Sequence, residues 1–454
     1  MIVSRHSSMC SATSLTLSKK STLLQIAYIK DRKYLYMTVF AGNLLALCVG
    51  FSFSWSSPVL LKLTDEKYLD SNPLRRLITS EEASWIGSLL SLGGMFGVFL
   101  AVFTASKFGR KKALWLSCVI PFVAGFSITG YAKEVHLYFL ARFIIGVGVS
   151  GVYTVVPMYL GEISEDDIRG FVCALMMTFE TAGELITYCS MPYITIYASA
   201  VVSVVITVAV AIVIISWLPE SPYFLLSMKD KNGAEKSLMK LRNETKEGVS
   251  TELDYIESVL QDFVDNEVRF IDLFRTKAAR KSEIITLGLT VFQHLSGILP
   301  VMLYSQNIFK ETGSSIPPEI CTMIIAVIQF FASFIAPNLV DKLGRRWMLF
   351  LSALGMLISQ CLLGLYFFFK ERQYDLSEFY WLPIACYICF LISYLIGFGP
   401  LIWTIMGEIF MPNLKAKAFL IGLEWLDVSS CLVDVVACQY CLFSPVLLRL
   451  KEEA

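Results

Sequence analysis

Apolar runs of spanning length, separated by short polar breaks, fill the chain from residue 36 to residue 441. A helix that crosses a bilayer needs roughly 20 apolar residues. The pattern predicts eleven such helices, at 36–60, 83–106, 113–132, 137–160, 171–192, 193–218, 284–309, 318–340, 347–369, 381–409 and 418–441. Helices are the expected form because a lipid-embedded backbone must satisfy its own polar groups, and barrel strands would be half this length and alternating. The one long polar stretch, 219–282, separates six spans from five. Within it, 234–241 and 253–264 carry apolar residues at helical spacing among charges, which predicts two short amphipathic helices. The expected organisation is a tail (1–35), a six-helix bundle (36–218), a helical linker (219–282), a five-span bundle (283–441) and a second tail (442–454). The linker joins the halves and is also placed to clamp them.

The halves repeat each other. Ala105-Ser-Lys-Phe-Gly-Arg-Lys-Lys112 and Leu339-Val-Asp-Lys-Leu-Gly-Arg-Arg346 are both basic loops between long apolar runs. Glu162 is followed seven residues on by Arg169, and Glu408 seven residues on by Lys415. Self-similarity at this distance marks a duplicated unit, and in a membrane chain two related halves place a solute path at their interface. Glycine permits the tight turn of each loop, and an arginine there can pair with a carboxylate at the end of another helix. The candidate gating set is Arg110, Glu162, Arg169, Glu220, Asp341, Arg345, Arg346, Glu408 and Lys415. Pairs formed across the halves would hold the outward-open state and break as the protein turns inward.

Composition agrees with this class. The chain is 56% hydrophobic and 17% charged, with mean hydropathy +0.62, too apolar for a soluble protein of 454 residues. Net charge is zero, so there is no nucleic-acid footprint. The distribution of Lys and Arg places the N-terminus in the cytosol: eleven lie between Lys229 and Lys281, and few in the opposite loops. The first 35 residues are too polar for a signal peptide. Most of the twelve cysteines fall in apolar runs, where Cys acts as a small hydrophobe. Three scattered histidines build no metal site, and no nucleophile, base and oxyanion set can be assembled. The expectation is a carrier in the plasma membrane, with no cofactor and no enzymatic activity.

The motifs sharpen this. Trp55-Ser-Ser-Pro58, Gly109-Arg-Lys111, Arg142-Phe-Ile-Ile-Gly-Val-Gly148, Pro157-Met-Tyr-Leu-Gly-Glu-Ile163, Arg169-Gly170, Pro219-Glu-Ser-Pro222, Gln293-His-Leu-Ser-Gly-Ile298, Gly344-Arg-Arg346 and Gly397-Phe-Gly-Pro-Leu-Ile-Trp403 stand in one order. In that order the chain resembles the sugar porter family of the major facilitator superfamily, most of all its insect facilitated trehalose transporter-like branch. The resemblance implies an all-α membrane fold of two pseudo-symmetric bundles and facilitated diffusion of a sugar by alternating access. It puts Gln293 in the place of a partner for sugar hydroxyls, with Gln329 and Tyr304 as further partners. An amide both donates and accepts, which suits a neutral polyol. Trp403 takes the place of an aromatic beside the sugar.

Departures from the family pattern cluster in the same places. Ser106 stands for an Asp, His294 for a second Gln, Leu299 for an Asn, Ile402 for a Pro and Met177 for a sugar-binding Gln. Met177, Glu180 and Glu184 are three and four residues apart and share one helix face, which by the family register lines the cavity. Carboxylates there are expensive unless hydrated, paired or protonated. They open an alternative reading, a carrier of a cationic or proton-linked solute, with His294 as a pH-responsive neighbour. The family has twelve spans and this pattern has eleven, so a shortened, non-transporting paralogue is a third reading. The first span has no Asp or Glu, which favours facilitated diffusion over symport.

Overall fold

The computed structural model describes residues 32–409 except 166–167, 266–276, 313–315, 373, 375–378 and 380, together with 421–422 and 428–429. Among the described residues the regular structure is all helical. The first bundle holds α1 (Lys33–Ser54), α2 (Ser56–Thr64), α3 (Ser80–Phe108), α4 (Arg110–Tyr131), α5 (Val135–Ile163), α6 (Arg169–Ser190) and α7 (Ile196–Trp217). The linker forms α8 (Pro222–Ser227), α9 (Lys231–Arg242) and α10 (Lys246–Asp265). The second bundle holds α11 (Lys277–Leu295), α12 (Ile298–Leu303), α13 (Ser305–Thr312), α14 (Pro318–Leu343), α15 (Arg345–Glu371), α16 (Leu382–Ile396) and α17 (Phe398–Ile409). The expected span 418–441 lies outside the described residues, apart from two short helical pieces.

Seven described helical segments are long and apolar enough to cross a membrane. Their outward faces are apolar as well. Phe96, Phe99 and Phe103 on α3 and Val205, Ile212 and Ile215 on α7 are exposed, the inverse of a water-facing helix. The surplus apolar surface is satisfied by lipid. α6 is 22 residues long but is not among the seven; it carries Glu180 and Glu184 along its length.

Two expected single spans are broken. The run 284–309 becomes α11, α12 and α13, interrupted at Gly297 with φ +76° and again at Tyr304. Only glycine adopts that φ at little cost, so the break is written into the backbone there. The run 381–409 becomes α16 and α17, split at Gly397. Hydropathy alone cannot register such breaks, because both sides remain apolar. The first span is likewise divided, at Trp55.

The linker follows its amphipathic pattern. Ala234, Leu238, Val249, Leu253 and Ile256 form one buried cluster between α9 and α10. The repeat is visible in the backbone: Gly109 (φ +98°) and Gly344 (φ +80°) both hold a left-handed turn that launches the next helix at an arginine.

Candidate functional site

The face that carries the Gly109 loop is densely paired. Arg110 donates through Nη2 (2.6 Å) and Nε (3.1 Å) to Oε1 of Glu162 at the end of α5. The other Glu162 oxygen accepts from the Ser221 hydroxyl. Glu220 Oε1 accepts the backbone N–H groups of Arg110 (2.8 Å), Ser221 (3.0 Å) and Lys111 (3.2 Å). A Cβ at Gly109 would stand 2.5 Å from Glu220 Oε2, so the loop closes onto Glu220 only because the residue is glycine. Arg242 of α9 bonds Glu252 (2.6 Å) and the Ile163 carbonyl (2.9 Å), and Arg32 pairs with Glu165. Of the nine expected gating residues, Arg110, Glu162 and Glu220 are thus brought together. The expectation that such pairs cross the halves is corrected for Arg110: its carboxylate lies 52 residues away in the same bundle. Arg345 is half-buried and Arg346 exposed at the start of α15. The side chains of Arg169, Asp341 and Glu408, and all of Lys415, lie outside the described residues.

Polar contacts from one bundle to the other lie at the opposite face. Lys310 at the end of α13 bonds Asp65 (2.8 Å), and Tyr68 donates to Glu319 (3.4 Å). Burial pushes the Asp65 carboxyl up, but the Lys310 and Lys67 hydrogen bonds outweigh it and hold the group below the usual carboxylate value. One layer deeper, the Gln306 N–H donates to Ser57 Oγ (3.0 Å) and the Tyr304 hydroxyl to the Ala83 carbonyl (3.4 Å). Leu303 and Tyr304 join Trp55, Val59 and Leu60 in one buried cluster. Tyr304, expected as a solute partner, therefore acts here as a seal between α12–α13 and α3. Sequence reasoning missed this mouth, and residues paired across 245 and 251 positions carry no local signal.

Between these two faces lies a polar core. Gln293 is buried; it donates to the Tyr394 hydroxyl (2.8 Å) and the Phe398 carbonyl (3.4 Å), while its Oε1 has no partner. Gln329 is buried and shares a cavity of about 10 Å³ with Tyr188, Met302, Ser305, Thr322, Ile325 and Tyr387. That is room for about one water, so no sugar fits in this cavity. Ser305 bonds Tyr387 at 2.6 Å. The His294 ring Nδ1 lies 3.1 Å from the Thr290 carbonyl on its own helix. Among the described residues it has no bond to Glu180 or Glu184. Met177 is half-buried on α6, and the Trp403 side chain lies outside the described residues.

Glu180 and Glu184 are 9% and 2% exposed. The Tyr153 hydroxyl on α5 donates to Glu180 Oε1 (2.8 Å), and the second oxygen of each carboxyl is unpaired. Glycine places them: a Cβ on Gly50 would sit 2.0 Å from the Glu180 carbonyl oxygen, and one on Gly183 would sit 2.2 Å from the Leu47 carbonyl oxygen. α1 and α6 therefore cross in backbone contact. On its other side α6 meets α14, where Thr181 bonds Ser333 at 3.4 Å. Tyr153 and Tyr394 are parts of this core that the sequence did not single out.

Comparisons with known proteins agree with this architecture. The profile of the family described as sugar (and other) transporter matches residues 35–439. The chain is 32% identical over 390 residues to the facilitated trehalose transporter Tret1 of Anopheles gambiae, covering 85% of this chain and 48% of that protein. It is 30% identical to the Apis mellifera ligustica protein of the same name, over 84% and 74% of the two lengths, and 31% identical to that of Bombyx mori, over 86% and 75%. The chain spans about half the length of some of these relatives. The fold is that of the Escherichia coli xylose transporter XylE: its partially occluded inward-open form superposes with TM-score 0.69 at 18% identity, over 90% of this chain and 93% of that one. The form of XylE bound to 6-bromo-6-deoxy-D-glucose gives TM-score 0.70 at 21% identity, over 88% of each. With a family match running from residue 35 to residue 439, the chain belongs to the sugar transporters of the major facilitator superfamily.

Proposed function

We propose that this protein carries a hexose, trehalose or a polyol through the plasma membrane by facilitated diffusion, with its N-terminus in the cytosol and no cofactor. The observation that carries the reading is the polar core of Gln293, Gln329, Ser305 and Thr322 between two bundles whose far mouth is closed by bonds from one to the other. A shut mouth over a collapsed core is one end of an alternating-access cycle. Opening requires breaking Lys310–Asp65, Tyr68–Glu319 and Tyr304–Ala83, each of which is a single bond of modest net strength. Gln293 and Gln329 are the hydroxyl partners, and Trp403 is the aromatic beside the sugar. Arg110, Glu162 and Glu220 tie the first bundle to the linker, so that bundle 36–218 and the head of linker 219–282 move as one body. The second bundle, 283–441, moves against them. Cells expressing the chain take up labelled glucose or trehalose above background, saturably and without a pH gradient. No uptake of any sugar at good surface expression refutes the reading and leaves the non-transporting paralogue.

A further inference from the structure

The core holds more acceptors than a neutral sugar transporter needs. Glu180 Oε2, Glu184 Oε2 and Gln293 Oε1 are all unpaired, on residues at least nine-tenths buried. They belong to one neighbourhood. The Tyr394 hydroxyl that takes the Gln293 hydrogen bond lies in electrostatic range of both carboxylates. Tyr188 and Tyr387, which line the cavity beside Gln329, lie in range of Glu184. Groups that reach the pair from packed elements include Tyr153 on α5 and Tyr394 on α16, and Ser333 on α14 bonds the neighbouring Thr181. None of these is a cation. Arg142, a buried arginine of the same bundle, is committed to the Ser52 and Ile86 carbonyls and the Trp55 ring. Glu180 and Glu184 form no ion pair among the described residues.

Acceptors without donors describe the missing ligand. Hydroxyls satisfy the amides and hydroxyls of the core, but a hydroxyl brings one donor and no charge. An ammonium is a compact cation with three donors, enough for the open oxygens of two carboxyls one helical turn apart. We propose that the preferred solute is a cationic sugar, a polyol carrying a protonated amine, whose ammonium is held by Glu180 and Glu184 while Gln293 and Gln329 hold its hydroxyls. The proposal rests on the sugar-carrier reading and narrows its substrate class.

The test compares uptake of labelled glucosamine, N-acetylglucosamine and glucose by cells expressing the full chain. The acetylated sugar keeps the ring and the hydroxyls and loses the charge. Glucosamine should enter at least tenfold faster than N-acetylglucosamine at equal concentration. Glu180→Gln/Glu184→Gln should reduce that preference tenfold or more, with surface labelling as the folding control. Should the double variant fail to reach the surface, Glu180→Gln alone, which keeps the Tyr153 bond, should still lower the preference. Glucose uptake with no preference for the amine overturns this inference and leaves the sugar reading intact. A preference that survives both substitutions overturns it too. So does glucose uptake that rises with acidity and shows no amine preference, which would make the ligand of the pair a proton. Failure of these three, of labelled trehalose and of a labelled polyol to enter at good surface expression overturns the sugar reading itself.

Discussion

Two groups of carboxylates stand a few helical turns apart and live under opposite conditions. At the Gly109 face both Glu162 oxygens are bonded, by arginine and serine, and Glu220 Oε1 accepts three backbone N–H groups. In the core, Glu180 has one tyrosine, and Glu180 and Glu184 each keep an open oxygen. The first group is what a scaffold does with charge near an interface, where pairing stabilises. The second is expensive unless the carboxyls are hydrated, protonated or completed by an incoming group, because an unsatisfied buried carboxylate destabilises the empty protein.

The comparison fails first if the α1–α6 crossing does not hold the core in place. Gly183→Leu puts a side chain where even a Cβ would lie 2.2 Å from the Leu47 carbonyl oxygen. It should cost about 3 kcal/mol or more and leave little folded protein at the surface, as read by surface labelling and size-exclusion chromatography. The two carboxylate groups should then respond with opposite sign. Glu162→Ala strips Arg110 of its carboxylate and Ser221 of its acceptor, and should lower stability by about 2 kcal/mol in thermal unfolding of the purified protein. Glu184→Leu removes an open buried oxygen and should raise stability by about 1 kcal/mol while abolishing uptake. A destabilised Glu184→Leu protein would mean that the carboxyl has a structural partner, and the contrast would be lost.

The smallest effect belongs to the far mouth. Asp65→Asn weakens a half-exposed pair and should change stability by less than about 1 kcal/mol, while shifting the protein away from the closed-mouth state. Cysteine accessibility at positions near Ser57 reads that shift; an unchanged pattern would mean that the pair does not latch the mouth. Because the folded Asp65 carboxyl titrates below its unfolded value, its stabilisation is complete above about pH 4 and is lost as pH falls through the folded value. The wild type should therefore lose the latch on acidification, and Asp65→Asn should show no such loss.

Much of the fold was legible because it depends on length and period. The α5 and α7 spans, the linker helices expected at 234–241 and 253–264 and found at 231–242 and 246–265, and the two glycine loops were visible as apolar runs, helical spacing or repeated motifs. The shared face of Glu180 and Glu184 followed from a spacing of four. Their isolation did not, because it depends on what α5, α14 and α16 bring against α6. Arg110 was legible as a pairing residue, but its choice of Glu162 within the same bundle was not. The break at Gly297 was hidden because hydropathy is blind to φ.

By itself the sequence determined that this chain lies in a membrane, is built twice over and belongs with the sugar porters. Those properties are sums over many residues, and each survives local error. Only the tertiary structure decided that Tyr304 and Gln306 join one bundle to the other and that three core oxygens have no hydrogen-bond partner. These are matters of which distant atoms lie within 3 Å of each other, and that follows from the packing of whole helices rather than from any local run of residues.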